Sequence, residues 1–292
     1  MKFSVIIPTY NRSHLILKTI QSVLAQTYED FEVIVVDDGS TDNTEDVVKS
    51  IENPRLTYYK KENAERGAAR NFGILKANGE YVNCLDSDDL VYPDHIKTAK
   101  ETIDKLMNPE VIHLGYEVRN TKSKIIKRCN NLPETANMLL IKGNVLSCDG
   151  VFIRTDVARQ NLFNENRVLS ALEDWELWLR LASQFPFHCN NSITSVIINH
   201  DERSVLLTEK GKLIQRFDAL FELVLQNPVI TRYYKGNINV FESYCYTYIA
   251  LHLALTKKYK SDTFRYLIKG IMESPSSIFS RRFLAILKHL VM

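Results

Sequence analysis

Three carboxylates fall within four consecutive residues, Asp86-Ser87-Asp88-Asp89. Acids this close repel and raise one another's pKa unless something neutralises them. A divalent cation does so, because Mg2+ and Mn2+ prefer oxygen donors and are commonly shared between carboxylates and substrate phosphates. The plainer alternative is helix capping, for which Asp89 alone would suffice. Asp38 lies between an apolar run and Gly39-Ser40. It reads either as a turn aspartate bonding its own backbone or as an acceptor for an N–H of a base or ribose. Arg66 and Arg70 sit near a helix start, which suits an anionic diphosphate, although a solvated basic turn has the same look. Glu173-Asp174 precedes Trp175 and Trp178. A carboxylate beside large aromatics can have a raised pKa and act as a base; helix N-terminal charge is the alternative. His200 closes an apolar run and reads as structural or as a ligand. No G-x-G-x-x-G is present, and glycine is too sparse there for a P-loop.

The elements that must hold these residues follow from the apolar pattern. Strand signals cover residues 3–7, 31–36, 56–59 and 81–85. Helical spacing covers 15–24, with Ser13 as N-cap, then 44–51, 68–77 and 93–107, the last with Pro93 at its start. This alternation predicts βαβ units and a mainly parallel sheet flanked by helices. Ligands of such a sheet bind beyond the carboxyl ends of its strands. Thr9-Tyr10-Asn11-Arg12, Asp37-Asp38 and Asp86-Ser87-Asp88-Asp89 all follow strands, so all three clusters are expected along one edge. Further strands are expected at 111–118, 151–154 and 193–198, and a helix at 174–182. Residues 206–292 have few turn signals and many tyrosines and read as a helical appendage to a catalytic domain of residues 1–205.

The chain has 292 residues, 45% hydrophobic and 25% charged, with a net charge of +2. No global field marks a nucleic-acid binder. Five cysteines without a C-x-x-C pair argue against a zinc ribbon or a disulfide framework and fit reduced thiols in a cytoplasmic protein. The N-terminal apolar run stops at Pro8, too soon for an h-region of roughly 7–15 residues. No stretch reaches the ~18 apolar residues of a membrane span. A soluble or membrane-peripheral protein is expected. Residues 280–290 are basic and amphipathic, and would either lie on an anionic membrane or pack within the helical region.

Taken together the clusters resemble family 2 glycosyltransferases of the GT-A fold. The matching segments include Ser4-Val5-Ile6-Ile7-Pro8-Thr9-Tyr10-Asn11-Arg12, Val35-Val36-Asp37-Asp38-Gly39-Ser40, Arg66-Gly67-Ala68-Ala69-Arg70-Asn71, Leu85-Asp86-Ser87-Asp88-Asp89 and Glu173-Asp174-Trp175. The resemblance covers about residues 1–205. It implies a nucleoside pocket at Pro8, Thr9, Tyr10, Asn11, Arg12 and Asp38, with Arg66, Arg70 and Asp86 also toward the nucleotide. It implies a Mn2+ or Mg2+ site at Asp88 and Asp86, which His200 would join. Asp174, with Glu173 beside it, would be the catalytic base. The implied activity is inverting transfer of a sugar from a nucleotide-sugar, a UDP-sugar first among donors, to a glycan or lipid-linked glycan acceptor of a surface polysaccharide or lipopolysaccharide. Two other readings are a sugar-1-phosphate nucleotidyltransferase and a non-catalytic nucleotide-binding module. The first would want a glycine-rich basic loop after strand one, where Pro8-Thr9-Tyr10-Asn11-Arg12 stands instead.

Overall fold

The computed structural model describes residues 1–200 and 209–291. The 205/206 boundary and residues 201–204 lie outside the described residues. In chain order the elements begin with β1 (Phe3–Thr9), α1 (Ile16–Leu24), β2 (Phe31–Asp37), α2 (Thr44–Lys49), β3 (Leu56–Lys60) and α3 (Glu65–Lys76). Then come β4 (Tyr81–Cys84), β5 (Leu90–Val91), α4 (His95–Lys105), β6 (Val111–Asn120), β7 (Ile125–Cys129) and α5 (Asn137–Leu140). After these follow β8 (Val151–Arg154), α6 (Thr155–Gln160), α7 (Glu173–Ala182) and β9 (Phe187–Asn199). The C-terminal helices are α8 (Lys210–Gln226), α9 (Pro228–Tyr233), α10 (Ile238–Thr256), α11 (Lys260–Glu273) and α12 (Arg281–Val291).

The strands form one sheet in the order β3-β2-β1-β4-β8-β6-β9-β5, with β7 paired to β6. The first four strands are parallel. Beyond β4 the sheet is mixed, because β8 runs antiparallel to both β4 and β6. β6 therefore points the same way as β4, and β9 pairs parallel to it. The carboxyl ends of β1, β2, β4, β6 and β9 thus share one edge. β1 is buried on both faces, and its side chains alternate between two cores as the strand period requires. Val5 and Ile7 face a layer with Ile16, Ile20 and Val23 of α1 and Ile96 of α4. Ile6 faces the opposite layer, which holds Ile74, Trp175, Trp178, Phe217 and Phe241. Gly73 permits this second layer to close: a Cβ there would stand 2.4 Å from Ile6 Cγ2. The C-terminal helices are part of the same apolar cluster as the sheet.

Two local expectations are corrected. Ser13 does not cap α1; Leu15 occupies that position without a side-chain cap. The Ser13 amide instead donates to Asp42 Oδ2 at 3.1 Å, since the loop after β1 is tied to the loop after β2. Asp89 does not cap the helix that follows it. It is buried, and its Oδ1 accepts the Ile198 amide at 2.7 Å, joining the acidic turn to β9. That helix, α4, begins at His95, two residues beyond Pro93.

Candidate active site

A cavity of about 460 Å3 opens at the shared strand edge. Its wall includes Pro8, Thr9, Tyr10 and Arg12 after β1, Asp38 after β2, Arg66 of α3, and Asp86, Ser87 and Asp88 after β4. Ala69 of α3 also lines it; Asn63, Glu65 and Ser170 complete it, and the sequence pattern did not single these three out. Asn63 and Glu65 lie three and one residues before Arg66, so their position in the chain was the available signal.

Thr9 is buried, and its hydroxyl has no hydrogen-bond partner. A buried polar atom normally has one, so this hydroxyl fits a ligand group. Asp38 is held rather than free: its Oδ1 accepts from Lys61 Nζ at 2.7 Å and from the Ala64 amide at 3.0 Å. Asn11 is not on the wall. Its side-chain oxygen accepts the Thr41 and Asp42 amides at 2.8 and 3.3 Å, and its own amide donates to Ser40 Oγ. It adopts φ 51°, a region asparagine tolerates, and in doing so fastens the loops that carry Tyr10 and Asp38.

Arg70 also lies off the wall, fully buried in the second layer. Its guanidinium bridges two acids, donating to Asp86 Oδ1 at 2.7 Å and to Glu173 Oε1 at 2.9 Å. Phe163 lies under it, 5.1 Å to the ring centre. Arg66 reaches the same Glu173 oxygen at 3.4 Å while keeping a place on the cavity wall. The two arginines therefore divide their work: Arg66 faces the cavity, and Arg70 links the acidic turn to α7.

The acidic turn is fixed from several sides. Thr19 Oγ1 donates to the Ser87 and Asp89 carbonyls at 3.0 and 2.9 Å. The Asp86 amide donates to Asp149 Oδ1 at 3.1 Å. Asp149, in a Cys148-Asp149-Gly150 turn, is a positioning residue the sequence reading passed over. Carboxylate oxygens of Asp86, Asp88 and Asp89 lie within 4.8 Å of one another. His200, just past β9, places Nε2 3.0 Å from Asp88 Oδ2. This donor set fits a divalent cation: hard oxygens from Asp86 and Asp88, an imidazole at the margin, and Asp89 already committed to Ile198.

Asp174 lies in the first turn of α7, half-buried. Its Oδ1 accepts its neighbour's amide, Trp175 N, at 2.7 Å, and Oδ2 accepts Asn144 Nδ2 at 2.8 Å. Burial and the adjacent Glu173 carboxylate push its pKa up to about 6. A carboxylate poised there holds its charge at neutral pH and still accepts a proton readily. The structure thus gathers Pro8, Thr9, Tyr10, Arg12, Asp38, Arg66, Asp86 and Asp88 around one cavity. It sets Asn11, Arg70 and Glu173 behind them as supports, with His200 against Asp88, and leaves Asp174 off the cavity wall, on α7.

Comparison with known proteins bears on the fold and the family. The chain aligns in fold with S. aureus TarS 1–349 solved with UDP-GlcNAc, at a TM-score of 0.74 and 21% identity, covering 100% of this chain and 89% of that one. This is the GT-A fold of nucleotide-diphospho-sugar transferases. The Glycosyl transferase family 2 profile matches residues 4–158, and the chain belongs to that family. An uncharacterized glycosyltransferase of Rickettsia felis is 34% identical over 210 residues, 68% of this chain and 34% of that protein. The chain thus spans about a third of that relative's length. The putative colanic acid biosynthesis glycosyl transferase WcaA of Escherichia coli K12 is 27% identical over 217 residues, covering 71% of this chain and 76% of WcaA. Asp174 lies beyond the segment the family profile matches.

Proposed function

We propose that this chain is an inverting, metal-dependent glycosyltransferase that moves a hexosyl or N-acetylhexosaminyl group from a nucleotide-sugar to an acceptor hydroxyl. The observation that carries the reading is one cavity that joins the unpartnered Thr9 hydroxyl and Asp38 to Arg66, Asp86 and Asp88. Thr9, Tyr10 and Asp38 would hold the nucleoside, and Arg66 would face the diphosphate. UDP-GlcNAc in TarS supports a UDP-sugar as donor, and the colanic acid assignment of WcaA supports an acceptor in surface polysaccharide synthesis.

A cation held by Asp86 and Asp88, with His200 beside them, would offset the charge that develops on the departing diphosphate. The remaining steps fall to the chain. Asp174 takes the proton of the acceptor hydroxyl. The hydroxyl oxygen forms its bond to the anomeric carbon from the face opposite the diphosphate. The bond from that carbon to the diphosphate oxygen breaks, and the electron pair leaves with the nucleoside diphosphate. One base and one displacement give inversion, with no second carboxylate needed as nucleophile.

UDP with Mn2+ is expected to raise the melting temperature, by linkage, more than either alone. A nucleotide panel of UDP, GDP, ADP and dTDP with Mn2+ that produces no shift would sink the donor assignment.

Peripheral contact with a membrane belongs to the same reading. In α12, Ile286 is buried and Phe283 and Leu290 pack on the core, so much of that helix's apolar face is already used. The exposed apolar residues continue on α11 instead, where Phe264, Ile268 and Met272 recur every fourth position, then at Ile278 and Phe279 and at Leu284. Met272 is 75% exposed and Phe279 85%. Residues 257–292 contain eight Lys/Arg against two Asp/Glu, a local +6 in a chain of net +2, so the remainder carries −4. An apolar stripe among cations suits an anionic lipid surface. The same segment of a second copy would carry the same +6, which opposes self-association. Among the described residues no helix is long and apolar enough to cross a membrane.

A further inference from the structure

The proposed base Asp174 does not stand alone on its helix. Its Oδ2 receives a hydrogen bond from Asn144 Nδ2 at 2.8 Å. The orientation of that amide is fixed at its other end, where Asn144 Oδ1 accepts the Leu146 amide at 3.2 Å. With the oxygen committed to an N–H, the NH2 must face the carboxylate. Asn144 itself is exposed, so it serves little packing purpose.

The turn that presents Asn144 is held by the C-terminal helices. Gly143 is buried, at φ +125°, a backbone conformation that side chains rarely adopt. A Cβ there would also stand 2.1 Å from Tyr244 Cζ of α10. Tyr244 therefore lies directly against the backbone next to Asn144. The same ring packs edge-on against Trp175, the residue after Asp174, with centres 5.6 Å apart. Tyr244 is in turn clamped by Arg282 of α12. The guanidinium lies 3.8 Å from its ring centre, and Nη1 donates to the Tyr244 carbonyl at 3.1 Å and to Thr247 Oγ1 at 3.2 Å.

We infer that the C-terminal helices position the reacting carboxylate: Tyr244, gripped by Arg282, seats both the Gly143 turn and Trp175, and Asn144 aims the Asp174 carboxylate at the acceptor. Asn144 and Tyr244 are positioning residues. The inference rests on Asp174 being the base, and it gives residues of α10 and α12 a role in catalysis that lies outside the family-matched segment.

The test compares Asn144→Ala, Tyr244→Phe, Tyr244→Leu and Asp174→Asn in the 292-residue chain, with kcat, donor KM and the pH profile of transfer as readouts. Asn144→Ala is expected to lower kcat on the order of tenfold to a hundredfold, as misaimed reacting groups do, with donor KM unchanged. It should also shift the acidic limb of the profile upward, because the ionised carboxylate loses a donor. Tyr244→Phe keeps the ring and should retain wild-type kcat, whereas Tyr244→Leu should match Asn144→Ala. Binding of UDP with Mn2+, read by thermal shift, should persist in all four and report that they fold. Wild-type kcat and pH profile in Asn144→Ala, with Asp174→Asn inactive, would overturn the positioning role alone. Full transfer by Asp174→Asn would instead overturn the base assignment beneath it.

Discussion

Asp174 ionises with difficulty where it sits. Burial and the neighbouring Glu173 carboxylate push its pKa up to about 6, above the range of a carboxylate in an unfolded chain. A group raised in this way favours the folded state while protonated and gives up that contribution as pH rises through the folded pKa. Asparagine, always neutral, does not pay this. Asp174→Asn is therefore expected to melt above the wild type at pH 8 and close to it only at about pH 4, where the carboxyl of the unfolded chain is protonated as well. Calorimetry at the two pH values checks this, and an equal difference at both would show that Asp174 is not strained by its charge. Activity has the opposite dependence. With Asp174 as the proposed base, transfer would need the ionised form, so the rate should climb through pH ~6, with the raised carboxylate as its acidic limb. The region around Glu173-Asp174 was legible in the sequence as acids beside tryptophans. Asn144 was not, because a lone asparagine in an irregular segment carries no pattern; only the fold brings it to Asp174.

At the level of elements, β1, β2 and β4 were legible because their largely apolar runs are bounded by turn residues and buried in the sheet, and the half-exposed β3 because Leu56, Tyr58 and Tyr59 follow the Asn53-Pro54 turn. β5 and β7 were not. β5 has two residues, and β7 is an outlying strand with lysine and arginine among its isoleucines, a pattern that reads as loop. The acidic turn was legible as a cluster. Its restraint by Thr19 of α1 and by the β9 backbone was not, since both partners are distant in sequence. Amphipathicity of the last helix was legible too, but the sequence could not say which of its apolar residues were already in use. With Ile286 buried, the exposed apolar stripe runs along α11 at Phe264, Ile268 and Met272 and reaches α12 only at Leu284 and Leu287. Sedimentation with vesicles is the matching measurement. Binding is expected to vesicles containing phosphatidylglycerol at low salt, to weaken as salt rises, and to drop in the Phe264→Ser/Met272→Ser double variant. Equal binding by that variant, or none to anionic vesicles at low salt, would remove α11 as a membrane face; concentration-dependent self-association abolished by the same substitutions would assign the stripe to a second copy.

Over the whole molecule, one apolar cluster runs from Ile6 in the sheet through Trp175 and Trp178 to Phe241, Leu253 and Ile286. Composition alone had set the C-terminal helices apart as an appendage. Packing contacts such as Trp175 to Phe241, and the Tyr234 hydroxyl donating to the Asn137 carbonyl, pass between segments about a hundred residues or fewer apart and leave no local signature. Arg70 spans the molecule in a different sense. It shares one charge between Asp86, at the cavity, and Glu173, beside Asp174. On the proposed roles, a donor that engaged Asp86 would draw that carboxylate away and leave the guanidinium to Glu173. The charge beside Asp174 would then be better compensated, and its carboxylate would be readier with the donor seated. The expectation that follows is a sequence in the encounter, donor before acceptor. Product-inhibition kinetics should accordingly find the released nucleoside diphosphate competing with the donor and not with the acceptor; competition with both would mean that the two substrates enter in either order.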